Sequence, residues 1–263
     1  MEVQNQMQVK RKVRKSDKES EKVDLLEIVY YTDPLCCWSW AFEPQWRRLL
    51  YELKGKIKYR YCMTGLLPSW DNYNDSLNSV SRPIQMGPVW MHAKQLSGMP
   101  FEQNIWMKDP PSSSYPACIA VKAAALQSLH FEDIYLRKLR EAVMMRGENI
   151  SKREVILSMA EKLAGHDRKF SFEKFQYDLQ NDEVLEIFQK DLQEVKYHNI
   201  NRFPSLVIKN WENRAIIISG YRPYSILIDA IKRLITLKEM KINAAEYKDY
   251  WQFLTDREIE EVA

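Results

Sequence analysis

The chain has 263 residues, and its 39 basic residues nearly balance its 36 acidic residues, leaving a formal net charge of +3. This balance excludes a strong whole-molecule field that would favour nucleic acid or an anionic membrane surface as a partner. No run of 18 consecutive apolar residues is present, so we expect no membrane span. Four cysteines in a chain of this length are too few for a disulfide-stabilised scaffold.

The first 22 residues form a polar, lysine-rich segment, for which we predict a disordered basic arm. This segment contains no apolar run of the signal-peptide type. We therefore expect a cytoplasmic protein. Structural disulfides are rare in that compartment, so any cysteine that matters should act as a thiol.

The next part of the chain predicts a strand, a helix and a second strand. Leu25 to Thr32 is short, β-branched and aromatic, which is typical of a buried strand. Apolar periodicity then predicts one helix over Trp38 to Leu53, with a kink caused by Pro44. Ile57 to Met63 alternates and predicts the second strand. This order favours a right-handed parallel crossover.

The middle of the chain is predicted to be irregular from Leu66 to about Gly98 and helical after that. Helical patterns follow one another over segments 116–129, 131–146, 151–164, 171–178 and 182–195. Strand character then returns.

The last part of the chain predicts a hairpin and more helix. Ser205 to Lys209 and Ala215 to Ser219 form the hairpin strands, followed by helices over 223–237 and about 244–262. The order βαβ, helices, ββα predicts an α/β thioredoxin fold with an all-helical insertion. We place this domain at 23–240, its insertion at about 80–195, and a helical extension at 241–263.

Cys36 carries the strongest chemical signal in the sequence. It follows a strand and opens a helix, where backbone N–H groups lack partners within the helix. These groups and the helix dipole favour a thiolate over a thiol, which predicts a lowered pKa and a nucleophilic sulfur.

Two further features bear on the thiol. Pro204 precedes the strand that starts at Ser205, and a cis Phe203–Pro204 bond would turn the backbone of residue 203 toward the thiol. Asp33 either accepts a proton beneath the thiol or forms a turn before Pro34. The histidines are scattered without ligand spacing, so we predict no metal site.

The segment Asp33-Pro34-Leu35-Cys36-Cys37-Trp38-Ser39-Trp40-Ala41-Phe42-Glu43-Pro44 resembles the active-site segment of the DsbA-like thioredoxin-fold family. It is similar to FrnE-like predicted protein-disulfide isomerases and to the SpxH group of protease adaptors. Ser113 to Ala117 resembles the start of that family's insertion helix, and Phe203 to Val207 resembles its cis-proline loop. The resemblance extends from about residue 25 to 237.

The resemblance implies roles for particular residues. Cys36 falls on the family's nucleophilic cysteine and Pro204 on its cis-proline, and we expect Trp38 and Phe203 to contact the substrate. The second cysteine of the Cys-x-x-Cys motif is replaced by Ser39, which cannot resolve a mixed disulfide. Ser39 can instead donate a hydrogen bond to the Cys36 thiolate and lower its pKa, so we count it among the catalytic residues.

Several routes to resolution remain open. Cys37 is adjacent to Cys36, and a disulfide between neighbouring residues is sterically disfavoured. Cys118 lies near the start of the predicted insertion helix and is either a resolving thiol or a packed core residue. No bound cofactor is expected, and the third route is an external thiol such as glutathione.

Three functions are therefore compatible with the sequence. The first is a thiol-disulfide oxidoreductase or isomerase that acts through Cys36 on a protein or small-thiol disulfide. The second is a non-catalytic adaptor or peptide-binding protein that holds a partner protein in the same groove. The third is a glutathione-dependent transferase or isomerase of the kappa type, whose members often place serine at the active position.

Overall fold

A computed structural model of the protein describes residues 25–237, 242–251 and 253–263. The predicted basic arm therefore lies outside the described residues. Within them the chain forms one four-stranded mixed sheet covered by helices. This architecture and the order of its elements confirm the predicted α/β fold class.

The sheet has the strand order β2-β1-β3-β4. Its strands are β1 Leu26–Thr32, β2 Ile57–Met63, β3 Ser205–Lys209 and β4 Ala215–Ser219. Strand β1 pairs in parallel with β2 and antiparallel with β3, and β4 pairs antiparallel with β3. The central position of β1 agrees with its sequence, because a strand covered on both faces needs apolar side chains along most of its length.

Twelve α-helices surround the sheet in the described part of the chain. They are α1 Cys37–Ala41, α2 Glu43–Glu52, α3 Met86–Ser97, α4 Ile105–Lys108, α5 Tyr115–Ala125, α6 Leu129–Arg146, α7 Arg153–His166, α8 Phe172–Asp178, α9 Asp182–Tyr197, α10 Tyr224–Lys232, α11 Ala244–Tyr250 and α12 Asp256–Glu260. Helices α5 to α9 lie where the sequence predicted five consecutive helices, with boundaries shifted by a few residues.

The single helix predicted over Trp38 to Leu53 is wrong, because the chain forms two helices that meet at Phe42. Pro44 lies in the first turn of α2, where its missing N–H costs no helical hydrogen bond. The proline therefore starts a new helix instead of bending an existing one.

Three other predictions need correction. The segment from 66 to 98 is not irregular throughout, because α3 begins at Met86 and accommodates Gly87 and Pro88 in its first turn. The last predicted helix is divided into α11 and α12, and Thr255 starts the second of these with a reciprocal capping box to Glu258. The helix predicted over 223–237 is also shorter, because α10 ends at Lys232.

The C-terminal helix α12 is anchored by a buried ion-pair network. Glu258 has no exposed surface and accepts two hydrogen bonds from Arg137, at 2.6 and 2.9 Å. The Nε of Arg47 on α2 lies 3.1 Å from the same carboxylate. The Arg137 guanidinium also lies 4.6 Å from the ring centroid of Trp40 on α1. The extension thus packs against the helix that carries the thiol motif.

Candidate active site

The thiol motif lies in a groove of about 800 Å³ at one end of the sheet. Its walls come from the turn before α1, from the segment 73–78, from α3, and from the two loops around Phe203 and Tyr221. The sequence predicted the first and fourth of these walls. The sequence analysis missed α3 and the segment 73–78, because both lie in the stretch 66–98 that was predicted to be irregular.

Cys36 is the N-cap residue of α1, as the sequence predicted. Its backbone is extended, and its sulfur accepts a hydrogen bond of 3.4 Å from the Ser39 amide. The Cys36 N–H donates to the Asp33 carbonyl at 3.1 Å and closes the turn before the helix. The local geometry is therefore that of a thiol capped by a helix N-terminus.

The expected thiolate is not supported at this position. Cys36 is 3% exposed, and this burial raises the pKa of its thiol. Hydrogen bonding from Ser39 opposes the shift without overcoming it, and the negative charge of Asp33 adds to it. Desolvation of the sulfur thus outweighs the helix terminus, and the resting form of Cys36 is the protonated thiol.

Ser39, which replaces the second thiol, and Cys37 are both buried. The Ser39 hydroxyl is fully enclosed and meets no partner with hydrogen-bonding geometry among the described residues. Cys37 lines the groove next to Cys36, and burial raises its pKa well above the usual range. All four cysteines of the chain are free thiols in this structure.

Asp33 joins three segments beneath the thiol. Its carboxylate is fully buried and accepts backbone hydrogen bonds from Leu35 at 2.8 Å and Leu66 at 2.7 Å. Ser114 donates its hydroxyl to the same carboxylate at 2.8 Å, and Cys118 donates its thiol at 3.3 Å. Burial raises the pKa of Asp33, and the backbone donors oppose that shift. These contacts agree with the turn interpretation, and the role of Asp33 as a proton acceptor for the thiol stays a prediction.

The Cys118 thiol contacts Asp33. Its sulfur is completely buried at the start of α5 and does not line the groove. Burial raises its pKa well above the usual range, and the Asp33 carboxylate adds to the shift. These contacts favour the packed interpretation of Cys118 over the resolving one.

The proline loop lies at the groove as expected. The Phe203–Pro204 peptide bond is cis, and Phe203 is half-buried on the groove wall. Pro204 itself is buried, and its carbonyl accepts a 2.7 Å hydrogen bond from Gly220. Trp38 also lines the groove, and its ring centroid lies 5.3 Å from that of His92.

The groove contains residues that sequence reasoning did not single out as a site. Leu77 and Leu96 line it with 76% and 57% of their surfaces exposed. Arg202 and Arg222 lie beside Phe203 and Tyr221 and also face the groove. The available signals were sequence positions, since Arg202 directly precedes the cis-proline motif and Arg222 lies in the turn from Gly220 to Pro223. Within the described ranges, no group of three His, Cys, Asp or Glu side chains is arranged to hold a metal ion.

A family model described as thioredoxin matches residues 30–229. The chain belongs to this thioredoxin family. Among curated proteins, the ClpXP adapter protein SpxH of Halalkalibacterium halodurans is 30% identical over 224 residues, covering 84% of this chain and 72% of the relative.

Several solved structures share the fold. A candidate protein disulfide isomerase from Nitrosomonas europaea superposes with a TM-score of 0.67 at 19% identity, covering 80% of this chain and 97% of that one. The cytosolic disulfide reductase DsbM from Pseudomonas aeruginosa, solved with GSH, gives 0.58 at 19% identity, covering 79% and 99%. These matches confirm the DsbA-like resemblance drawn from the segment around Cys36.

No helix in the described ranges combines the length and the apolar character needed to cross a bilayer.

Proposed function

We propose that this family member carries out thiol-disulfide exchange in the cytoplasm through Cys36 alone. The observation that carries the proposal is the position of this sulfur. It caps α1 at a groove of about 800 Å³, and the cis Phe203–Pro204 loop forms another wall of the same groove. Phe203 and Trp38 are the side chains that would contact the bound substrate.

The exchange step follows from thiol chemistry. Cys36 first loses its proton to solvent, and the thiolate attacks one sulfur of a substrate disulfide. A bond forms between Cys36 and that sulfur, and the other sulfur leaves with the electron pair as a thiolate. Ser39 has no thiol with which to break the mixed disulfide, and Cys118 faces Asp33. Resolution therefore requires an external thiol, for which glutathione is the natural candidate because DsbM was solved with GSH.

Trapping tests this proposal. After thiols are quenched, a tagged protein should carry disulfide-linked partners on Cys36, and Cys36→Ser should lose them. Cys62→Ser is the matched control, because Cys62 is a buried thiol on β2 whose sulfur contacts the Asp191 carbonyl. Ser39→Cys should release the partners by restoring Cys-x-x-Cys. Equal trapping by wild type and by Cys36→Ser would contradict the proposal.

A second candidate is a protein adaptor, favoured by the curated relatives. The SpxH proteins are named as ClpXP adapters, and the similarity covers most of this chain. In this role the groove holds a protein partner without redox turnover and presents it to a protease such as ClpXP. The raised pKa of Cys36 and the exposed Leu77 and Leu96 in the groove support binding without catalysis.

One comparison separates the two functions. Pull-down with wild type, with Cys36→Ser and with Leu77→Asp should give different patterns. An adaptor keeps one stoichiometric partner in Cys36→Ser and loses it in Leu77→Asp. A thiol-exchange protein loses its partners in Cys36→Ser, and reduction releases the partners trapped by wild type. The kappa-type alternative stays a prediction, to be tested by glutathione conjugation activity.

A further inference from the structure

The thiol groove has an uneven charge distribution. Its lining residues include two guanidinium groups, from Arg202 and Arg222, and a single carboxylate, from Asp75. Both arginines are exposed, and neither has a carboxylate within salt-bridge distance in the described parts of the chain. No ion pair therefore compensates the positive charges of these two arginines, which line the same groove as Cys36.

The carboxylate of Asp75 is occupied by its own turn. One oxygen accepts the backbone N–H groups of Leu77 and Asn78, both at 3.1 Å. The other oxygen accepts the Asn78 side-chain amide at 2.6 Å. The Asp75 oxygens are thus engaged within their own turn, and in the described ranges Asp75 forms no ion pair with Arg202 or Arg222.

The Arg202 side chain is supported by the loops around it. A Cβ placed on Gly220 would lie 3.0 Å from Arg202 Cδ, so the methylene stem of the arginine covers the glycine backbone. Gly220 has a φ of +75°, which a glycine adopts without strain. The Arg202 carbonyl also accepts the Ser205 hydroxyl at 2.6 Å. The stem therefore lies against backbone that belongs to the groove wall.

Arg222 lies in the other loop of the groove wall, next to Tyr221. Its neighbour Tyr221 accepts a hydrogen bond of 3.2 Å from Gln45 and packs 6.1 Å from the Trp38 ring. The two arginines thus line the same groove as Cys36 and Phe203 of the cis-proline loop.

From this arrangement we infer that Arg202 and Arg222 make the groove selective for anionic partners. The chemical class is a thiol or disulfide with carboxylates close to its sulfur. Such a group occurs in a glutathione-type tripeptide and in an acidic protein segment. Unpaired cations in a groove raise the local concentration of anions and speed their association. This inference deepens the proposed function and rests on the use of the Cys36 groove.

Disulfide probes that differ in charge test the inference. We would measure the rate of mixed-disulfide formation with an anionic probe, 5,5′-dithiobis(2-nitrobenzoate), a neutral probe, 4,4′-dithiodipyridine, and a cationic probe, cystamine. Each rate is corrected with Cys36→Ser and divided by the rate of free cysteine with the same probe. Wild type should favour the anionic over the cationic probe by about tenfold at low salt, and added salt should reduce that preference.

Charge reversal gives the decisive variant. Arg202→Glu combined with Arg222→Glu should abolish or invert the preference. Arg168→Glu should leave it unchanged, because Arg168 is exposed and does not line the groove. An equal preference in wild type and the double variant would overturn the inference. Failure of Cys36 to react with any probe would instead overturn the proposed thiol exchange.

Ligands that bind but cannot form a disulfide show whether the anionic group belongs to a small thiol or to a protein partner. S-methylglutathione and a glutamate-rich peptide, titrated separately by calorimetry, cannot form a disulfide. Binding of S-methylglutathione that the double reversal removes identifies a small-thiol site, and the same result with the peptide identifies a protein partner. If neither ligand binds more tightly to wild type than to the double variant, the charge selectivity is absent.

Discussion

The thiol groove and the C-terminal segment both bury ionisable side chains, and burial has opposite outcomes in the two regions. In the groove, burial raises the pKa values of Cys36 and Asp33, and neither the hydrogen bonds they accept nor, for Cys36, the positive charge of Arg140 overcomes that shift. At the C-terminal segment burial also opposes ionisation of Glu258, but Arg137 and Arg47 lower its pKa to about 2. Compensating charge, and not depth, decides which buried groups are ionised.

The largest effect is expected from Glu258→Gln. This change removes one of the two carboxylates shared by the buried Arg137 and Arg47 guanidinium groups, which keep Glu43 as a partner. It should therefore lower the free energy of unfolding by about 3 kcal/mol, the low end for breaking a buried ion pair. Urea denaturation measures it, and Glu260→Gln is the control because Glu260 is exposed on the same helix. A loss no larger than that of the control would show that the network contributes little.

The same carboxylate gives a pH dependence. Its folded pKa of about 2 lies below the value of about 4.3 for an unfolded glutamate, so its contribution is complete above that value. The contribution is lost as the pH falls from about 4.3 toward 2. Acid titration of stability should therefore be shallower in Glu258→Gln than in wild type within that window.

Asp33→Asn should have the next largest effect. The amide keeps one acceptor oxygen and turns an NH₂ group toward donors such as the Leu66 N–H. Leaving a buried donor unpaired costs about 1–3 kcal/mol. Loss of the negative charge should also lower the pKa of Cys36. Urea denaturation and the pH profile of Cys36 alkylation measure the two effects, with Asp71→Asn as an exposed control. An unchanged alkylation profile would contradict the electrostatic link.

A smaller effect concerns the reactivity of Cys36 itself. Because burial raises its pKa above the ~8.5 of a free cysteine, iodoacetamide should modify it several-fold more slowly than free cysteine at pH 7. The rate should still be rising at pH 9. Mass spectrometry with fragmentation that separates Cys36 from Cys37 follows the site. A rate plateau near pH 7 would restore the activated thiolate that the sequence predicted.

The smallest effect on the free energy of unfolding is expected for an ion pair on the exposed surface. Glu212 and Arg214 form an ion pair at 3.1 Å with 43% and 57% of their side-chain surfaces accessible. Solvent screens such a pair, so Glu212→Gln should change the free energy of unfolding by about 0.5 kcal/mol or less. Urea denaturation measures the change. A loss comparable to that of Glu258→Gln would break the contrast between buried and exposed pairs.

Local signals in the sequence were sufficient for much of the fold. The strands β2, β3 and β4 have the predicted boundaries, because β-branched and aromatic runs bounded by turn residues are short-range patterns. The helices α5 to α9 follow from apolar periodicity in the same way. The start of α3 was missed because Gly87 and Pro88 suggest an interruption unless the helix begins beside them.

The sequence by itself determined the order of the elements, the position of Cys36 at a helix start and the absence of a second thiol at Ser39. These are properties of neighbouring residues. Only the tertiary structure decided the ionisation of that thiol and the place of Cys118 against Asp33. Both depend on desolvation and on charges brought together from distant segments, and a linear pattern does not specify those distances.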